Sequence, residues 1–182
     1  MVFTRLQDID ELHATLCMDG LGPTEDGWGA AAAQKSSLGG PLARFSSTLK
    51  LLANTLHCSP AAKRRAIDRG FAAVLEPVWG LCALSDRAMR RLLEVVCNLV
   101  AQCPEAAKSL ALPASNRHSL VVAAADLGTR MLSNRARLSL RRPLFDLLTT
   151  LAATSECRSV MWKEGLFDEC ISRLPVAKHV RD

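Results

Sequence analysis

Leu6, Ile9, Leu12, His13 and Leu16 recur at intervals of three and four, the spacing that gathers side chains on one helical face, and they predict a short amphipathic helix over residues 4–18. The period then stops. From Asp19 to Gly40 the chain reads DGLGPTEDGWGAAAAQKSSLGG, and its Gly, Pro and Ser with an alanine run predict a flexible linker over 19–40. From Pro41 onward the helical pattern returns, broken at SPAA (59–62), DRG (68–70), LSD (84–86), CPEA (103–106), LPASN (112–116), LSN (132–134), TSEC (154–157) and KEG (163–165). Each break carries capping or turn chemistry: Ser or Asp ahead of a helix, Pro in a first turn, Gly after an end. Pro77 and Pro143 fall inside predicted helices and are expected to kink them or delay their start.

The breaks repeat. NTLHCSPAAK at 54–63 has a counterpart in NLVAQCPEAAK at 98–108, each Asn six residues before its Pro, and TLAATSECRS at 150–159 keeps the shape without either. AIDRGFAAVL at 66–75 likewise matches VMWKEGLFDEC at 160–170. Offsets of 44 and 52 residues between helical units predict an all-α chain built of stacked repeats.

The unit resembles the armadillo repeat, in which a long helix ending near Asn is followed by a short helix, a Gly break and a second helix. That register expects long third helices at 41–58, 86–103 and 135–153. First helices are expected at 60–69, 104–112 and 156–163, and second helices at 71–84, 116–132 and 166–174. The resemblance implies a right-handed α-solenoid of two to three repeats within a domain spanning 41–182. The middle repeat departs from it, having LPASNRHS in place of the Gly break, so a HEAT-type or irregular stack stays open. CNLVAQCPEAAK and SECRSVMWKEGLFDECISRL also look like segments of large centriolar and ciliary armadillo scaffolds. Leu166, Phe167, Cys170, Ile171 and Leu174 form an apolar face at one end. In a solenoid such a face needs covering, so the chain is expected to be a piece of a longer stack or to have a partner there.

Composition supports the helical reading. Aromatic residues make up 4% with no tyrosine, whereas hydrophobic residues reach 49%, a profile that favours helix over sheet. The odd number of cysteines, seven, with no CxxC spacing, points to reduced core thiols inside a cell rather than to a zinc site or disulfide framework. No apolar run is long enough for a membrane span, and the acidic start does not read as a leader, so a soluble, cytoplasmic protein is expected.

Charge is unevenly placed. Residues 1–40 hold two basic and six acidic side chains, while the remainder holds 21 basic and 12 acidic ones. The acidic segment could thus fold onto the basic body.

No GxGxxG, GxxxxGK[ST], HExxH or GxSxG motif is present, so neither an enzyme nor a cofactor or metal is expected. His57 and Cys58 are adjacent, yet neighbours on a helix point about 100° apart, a poor geometry for a nucleophile and base. Cys58 is expected in the core and His57 at the surface. Trp79 and Trp162 sit at apolar helical positions and are expected as core plugs, with Trp28 a possible anchor in the linker.

By the armadillo resemblance, Asn54 and Asn98 are the groove asparagines that bond an extended peptide, Thr150 replacing the third. Lys50, Glu94 and Asp146 stand one turn earlier, where peptide-binding members carry Trp. The alternative is that the asparagines only satisfy their helix ends. Arg87, Arg90 and Arg91, and further on Arg135, Arg137, Arg141 and Arg142, form ridges that are either a solvated face or a basic groove. The expected function is a scaffold that binds another protein, by an acidic or extended segment, in a centrosomal or ciliary setting. The competing reading is a basic solenoid for nucleic acid or acidic phospholipid headgroups, although no aromatic residues interleave the arginines to stack bases.

Overall fold

The computed structural model describes residues 39–112, 119–133 and 137–172. Among the described residues nine helices and no strand occur: α1 Gly39–Leu56, α2 Pro60–Asp68, α3 Phe71–Cys82, α4 Asp86–Val100, α5 Pro104–Ala111, α6 Leu120–Ser133, α7 Leu138–Ala152, α8 Ser155–Lys163 and α9 Leu166–Ser172. The helix expected over 4–18 and the linker over 19–40 lie outside the described residues, except that Gly39 and Gly40 belong to α1.

Local chemistry sets the starts. The Ser59 and Ser85 hydroxyls accept from the Ala62 and Ala88 amides at 3.4 Å, and Pro60 and Pro104 occupy first turns where no amide proton is needed. Gly70 and Gly165 take φ of +66° and +72° ahead of α3 and α9, with open space where a Cβ would stand. What they supply is left-handed backbone, which costs a glycine little.

The ends differ from expectation. α1 and α4 stop at Leu56 and Val100, short of residues 58 and 103, because Cys58 and Gln102 adopt φ of +52° and +57° and turn the chain out of the helix. These two residues are 44 positions apart, so the repeat is present in the backbone as well as in the letters. α7 ends without such a residue, and only Ala153 and Thr154 separate it from α8, one residue fewer than in the two earlier turns. Pro77 lies inside α3 and Pro143 inside α7, which begins at Leu138, later than expected.

Packing follows a simple rule. The long helices α1, α4 and α7 lie side by side, as do α2, α5 and α8, and α3, α6 and α9, so each helix packs on the one three places along. α4 is central and buries Ala88, Met89, Leu92, Leu93, Val95, Val96, Leu99 and Val100. Each large aliphatic side chain so buried contributes about 1.5–3 kcal/mol. Gly128 brings α6 close to its neighbours, since a Cβ there would meet Leu148 at 3.0 Å and Leu166 at 3.1 Å.

Two core expectations need correcting. Trp79 is buried, but Trp162 is 62% exposed and rests on Phe167 with ring centroids 5.8 Å apart. Nothing among the described residues packs over that side of α8. Cys58 is exposed because the left-handed turn carries it off the helix, whereas Cys82 and Cys157 are buried.

Candidate functional site

The outer edge of the three long helices collects most of the polar candidates. On α1, Lys50, Leu51 and Asn54 are exposed; on α4, Arg87 and Arg90 are exposed with Arg91, Glu94, Cys97 and Asn98 half-buried; on α7, Leu138, Arg141, Arg142 and Asp146 are exposed. Spacings of three and four keep each set on one side of its helix. Polar contacts tie the three edges together.

Asn98 Nδ2 donates to the Ala53 carbonyl at 2.9 Å, near the ends of α4 and α1. At the opposite end, Arg137 Nε and the Ser139 hydroxyl donate to the two Asp86 oxygens at 2.6 and 3.1 Å, and Arg137 Nη2 donates to the Ala83 carbonyl at 3.1 Å. Like ends therefore meet like ends, and α1, α4 and α7 run parallel.

The Asn98 amide is thus engaged by the neighbouring helix, satisfying that helix's end rather than its own following turn. Asn54 is exposed on the first long helix. Thr150, in place of the third asparagine, donates instead to the Asp146 carbonyl of its own helix at 2.9 Å. Lys50 and Glu94 lie on the outer edge without an aromatic slot, and Glu94 accepts from Arg91 at 2.6 Å. Asp146 faces Arg142 at 3.8 Å. Among the described residues Arg87, Arg90 and Arg141 meet no carboxylate. Among the described residues this edge holds seven basic side chains, Lys50 and Arg137 included, against Asp86, Glu94 and Asp146.

The Cys97 thiol sits between the α4 and α7 edges. Burial, with the Asp146 carboxylate nearby, pushes it up to about 11, so it stays protonated and a weak nucleophile. His57 and Cys58 are both exposed. Among the described residues no cluster of His, Cys, Asp and Glu is arranged to hold a metal ion, and no helix is long and apolar enough to cross a membrane.

Lys63 escaped the sequence reading. Within PAAKRRAID it reads as one more solvated cation, yet it is 7% exposed, and its ammonium donates to the Ala101 carbonyl at the end of α4. A basic group there closes unpaired carbonyls and meets the negative end of the helix dipole. Arg158 closes the end of α7 in the same way, donating to the Ala152 and Ala153 carbonyls at 2.7 and 3.1 Å. Beside Lys63 runs a groove of about 490 Å³ lined by Cys58, Arg64, Gln102 and Glu105 among others.

Human Rotatin is similar to this chain, with 24% identity over 180 aligned residues covering 92% of the chain. The chain spans 8% of Rotatin's length. No protein-family model matches the chain, and no solved structure matches it.

Proposed function

We propose that the chain is a non-catalytic, armadillo-like α-solenoid module that scaffolds an assembly by holding an acidic segment of another protein along the outer edge of α1, α4 and α7. The observation that carries this reading is the convergence of unpaired Arg87, Arg90 and Arg141 on one edge of three parallel helices that pack three places apart. A lone cation is ordinary surface; several at the starts of adjacent parallel helices together favour negative charge. The armadillo style of holding a peptide by its backbone does not transfer, since Asn98 already bonds Ala53 and no aromatic slot precedes Asn54 or Asn98. Recognition here runs through charge. A centriolar or ciliary setting fits the sequence resemblance and the similarity to Rotatin.

The test is fluorescence anisotropy with a labelled decaglutamate peptide and the full chain. Binding should weaken at least tenfold in Arg90→Glu/Arg91→Glu and fall steeply with salt. Unchanged binding in that variant removes the reading. Tighter binding of a single-stranded oligonucleotide or of phosphoinositide vesicles than of the peptide replaces it with the nucleic-acid or lipid reading, which the same arginines would serve.

A further inference from the structure

We infer that the basic edge is occupied in cis by the chain's own acidic segment, residues 4–18, which an outside partner must displace; this rests on the edge being a docking surface for acidic segments.

Three observations converge on that occupant. The first is position. Because Asp86 is fastened to Arg137 and Ser139, the starts of α4 and α7 lie together, and the start of α1 at Gly39 lies at the same end of the parallel set. Arg87, Arg90 and Arg91 fill the first two turns of α4, and Arg141 and Arg142 the first two of α7. The chain that precedes Gly39 therefore enters beside the arginines.

The second is reach. Residues 19–38 separate the acidic segment from α1. Their Gly- and Ser-containing composition predicts a linker, and a random chain of that length has an end-to-end distance of roughly 25 Å. Neighbouring helices are spaced by about 8–10 Å, which puts α7 some 20 Å from α1. A tether matched to its span raises the effective concentration of the segment to the millimolar range. Even a weak contact is then populated.

The third is complementarity. On a helix, Leu6, Ile9, Leu12 and Leu16 share one side, and the 100° step places Asp8 and Asp10 on its two flanks. The edge offers both kinds of contact: Leu51 and Leu138, 59% and 62% exposed, and the arginines at the starts of α4 and α7. Exposed apolar side chains together with positive charge fit an amphipathic acidic helix laid over the long helices.

Hydrogen–deuterium exchange on the full chain tests this, with folding of every variant checked by circular dichroism. Amides of residues 4–18 should exchange at least tenfold more slowly than in a free peptide of the same sequence. Protection should vanish in Asp8→Lys/Asp10→Lys/Glu11→Lys and in Arg90→Glu/Arg91→Glu, and return when the two sets are combined. It should also be independent of protein concentration over a hundredfold range. Concentration-dependent protection means that a second copy supplies the segment and overturns docking in cis. Protection that survives the arginine reversal places the segment elsewhere and overturns it too. Should residues 4–18 exchange freely while decaglutamate binding still depends on Arg90 and Arg91, the inference fails and the proposed function stands. A loss of both fails both.

Discussion

The junction between α1 and α4 and the junction between α4 and α7 join the same kind of long helix, yet they are fastened at opposite ends and by different chemistry. At the first, Asn98 bonds the Ala53 carbonyl near the helix ends, and left-handed Cys58 and Gln102 close the two turns alike. At the second, the fastening is an ionic clasp at the helix starts, Asp86 with Arg137 and Ser139, while Thr150 turns back on its own helix and the following turn is one residue shorter. A neutral bond to a backbone carbonyl ignores salt; a partly exposed ion pair does not. Apolar packing is what the junctions share, and polar fasteners are where they diverge.

The sharpest way to break the comparison is to remove what both junctions share. Leu52→Ala on α1 and Leu147→Ala on α7, both fully buried, should each cost about 2–5 kcal/mol in urea denaturation. A large loss at one site and a small one at the other would mean that the core is not common to both.

Smaller changes should separate the fasteners. Asn98→Ala should cost about 1 kcal/mol, with the same shift in urea midpoint at low and at high salt. Asp86→Ala should cost about 0.5–1 kcal/mol at low salt, most of which disappears near 1 M salt. Equal salt responses would mean that the two junctions are fastened by the same kind of contact.

The smallest effect belongs to an exposed contact between α5 and α8. Glu156 accepts from its own backbone amide, from Ser155 and from Lys108, which together hold its carboxyl down at about 2 instead of the ordinary 4.5. A depressed carboxylate stabilises the fold above its ordinary pKa and loses that contribution as pH falls from about 4.5 towards 2. Glu156→Gln should lower the melting temperature slightly at neutral pH and converge with the parent towards pH 2, so that the acid limb of a thermal-melt profile flattens in that window.

Much of the fold was legible because its signals are local. Ser59, Ser85, Pro60, Pro104, Gly70 and Gly165 each announce a boundary by the conformation their type favours. Cys58 and Gln102 do not, since neither residue type is marked for left-handed backbone, and both helices end earlier than the sequence pattern predicts. The site was less legible. Periodicity puts Trp162 on an apolar face but cannot say whether a neighbour covers that face. Asn98 finds its partner 45 residues away and Lys63 finds its own 38 residues away, so neither role could be read from the letters around it.

Contacts that join each helix mainly to those within three places of it also bear on how the molecule forms and fails. No pairing between the first helix and the last has to be found before the layers between them gain from closing, so assembly can begin at any adjacent pair and spread. Under tension the same topology yields in sequence. Pulled from its two ends, the chain should peel from the less supported layer inward, as a series of small steps rather than one large rupture.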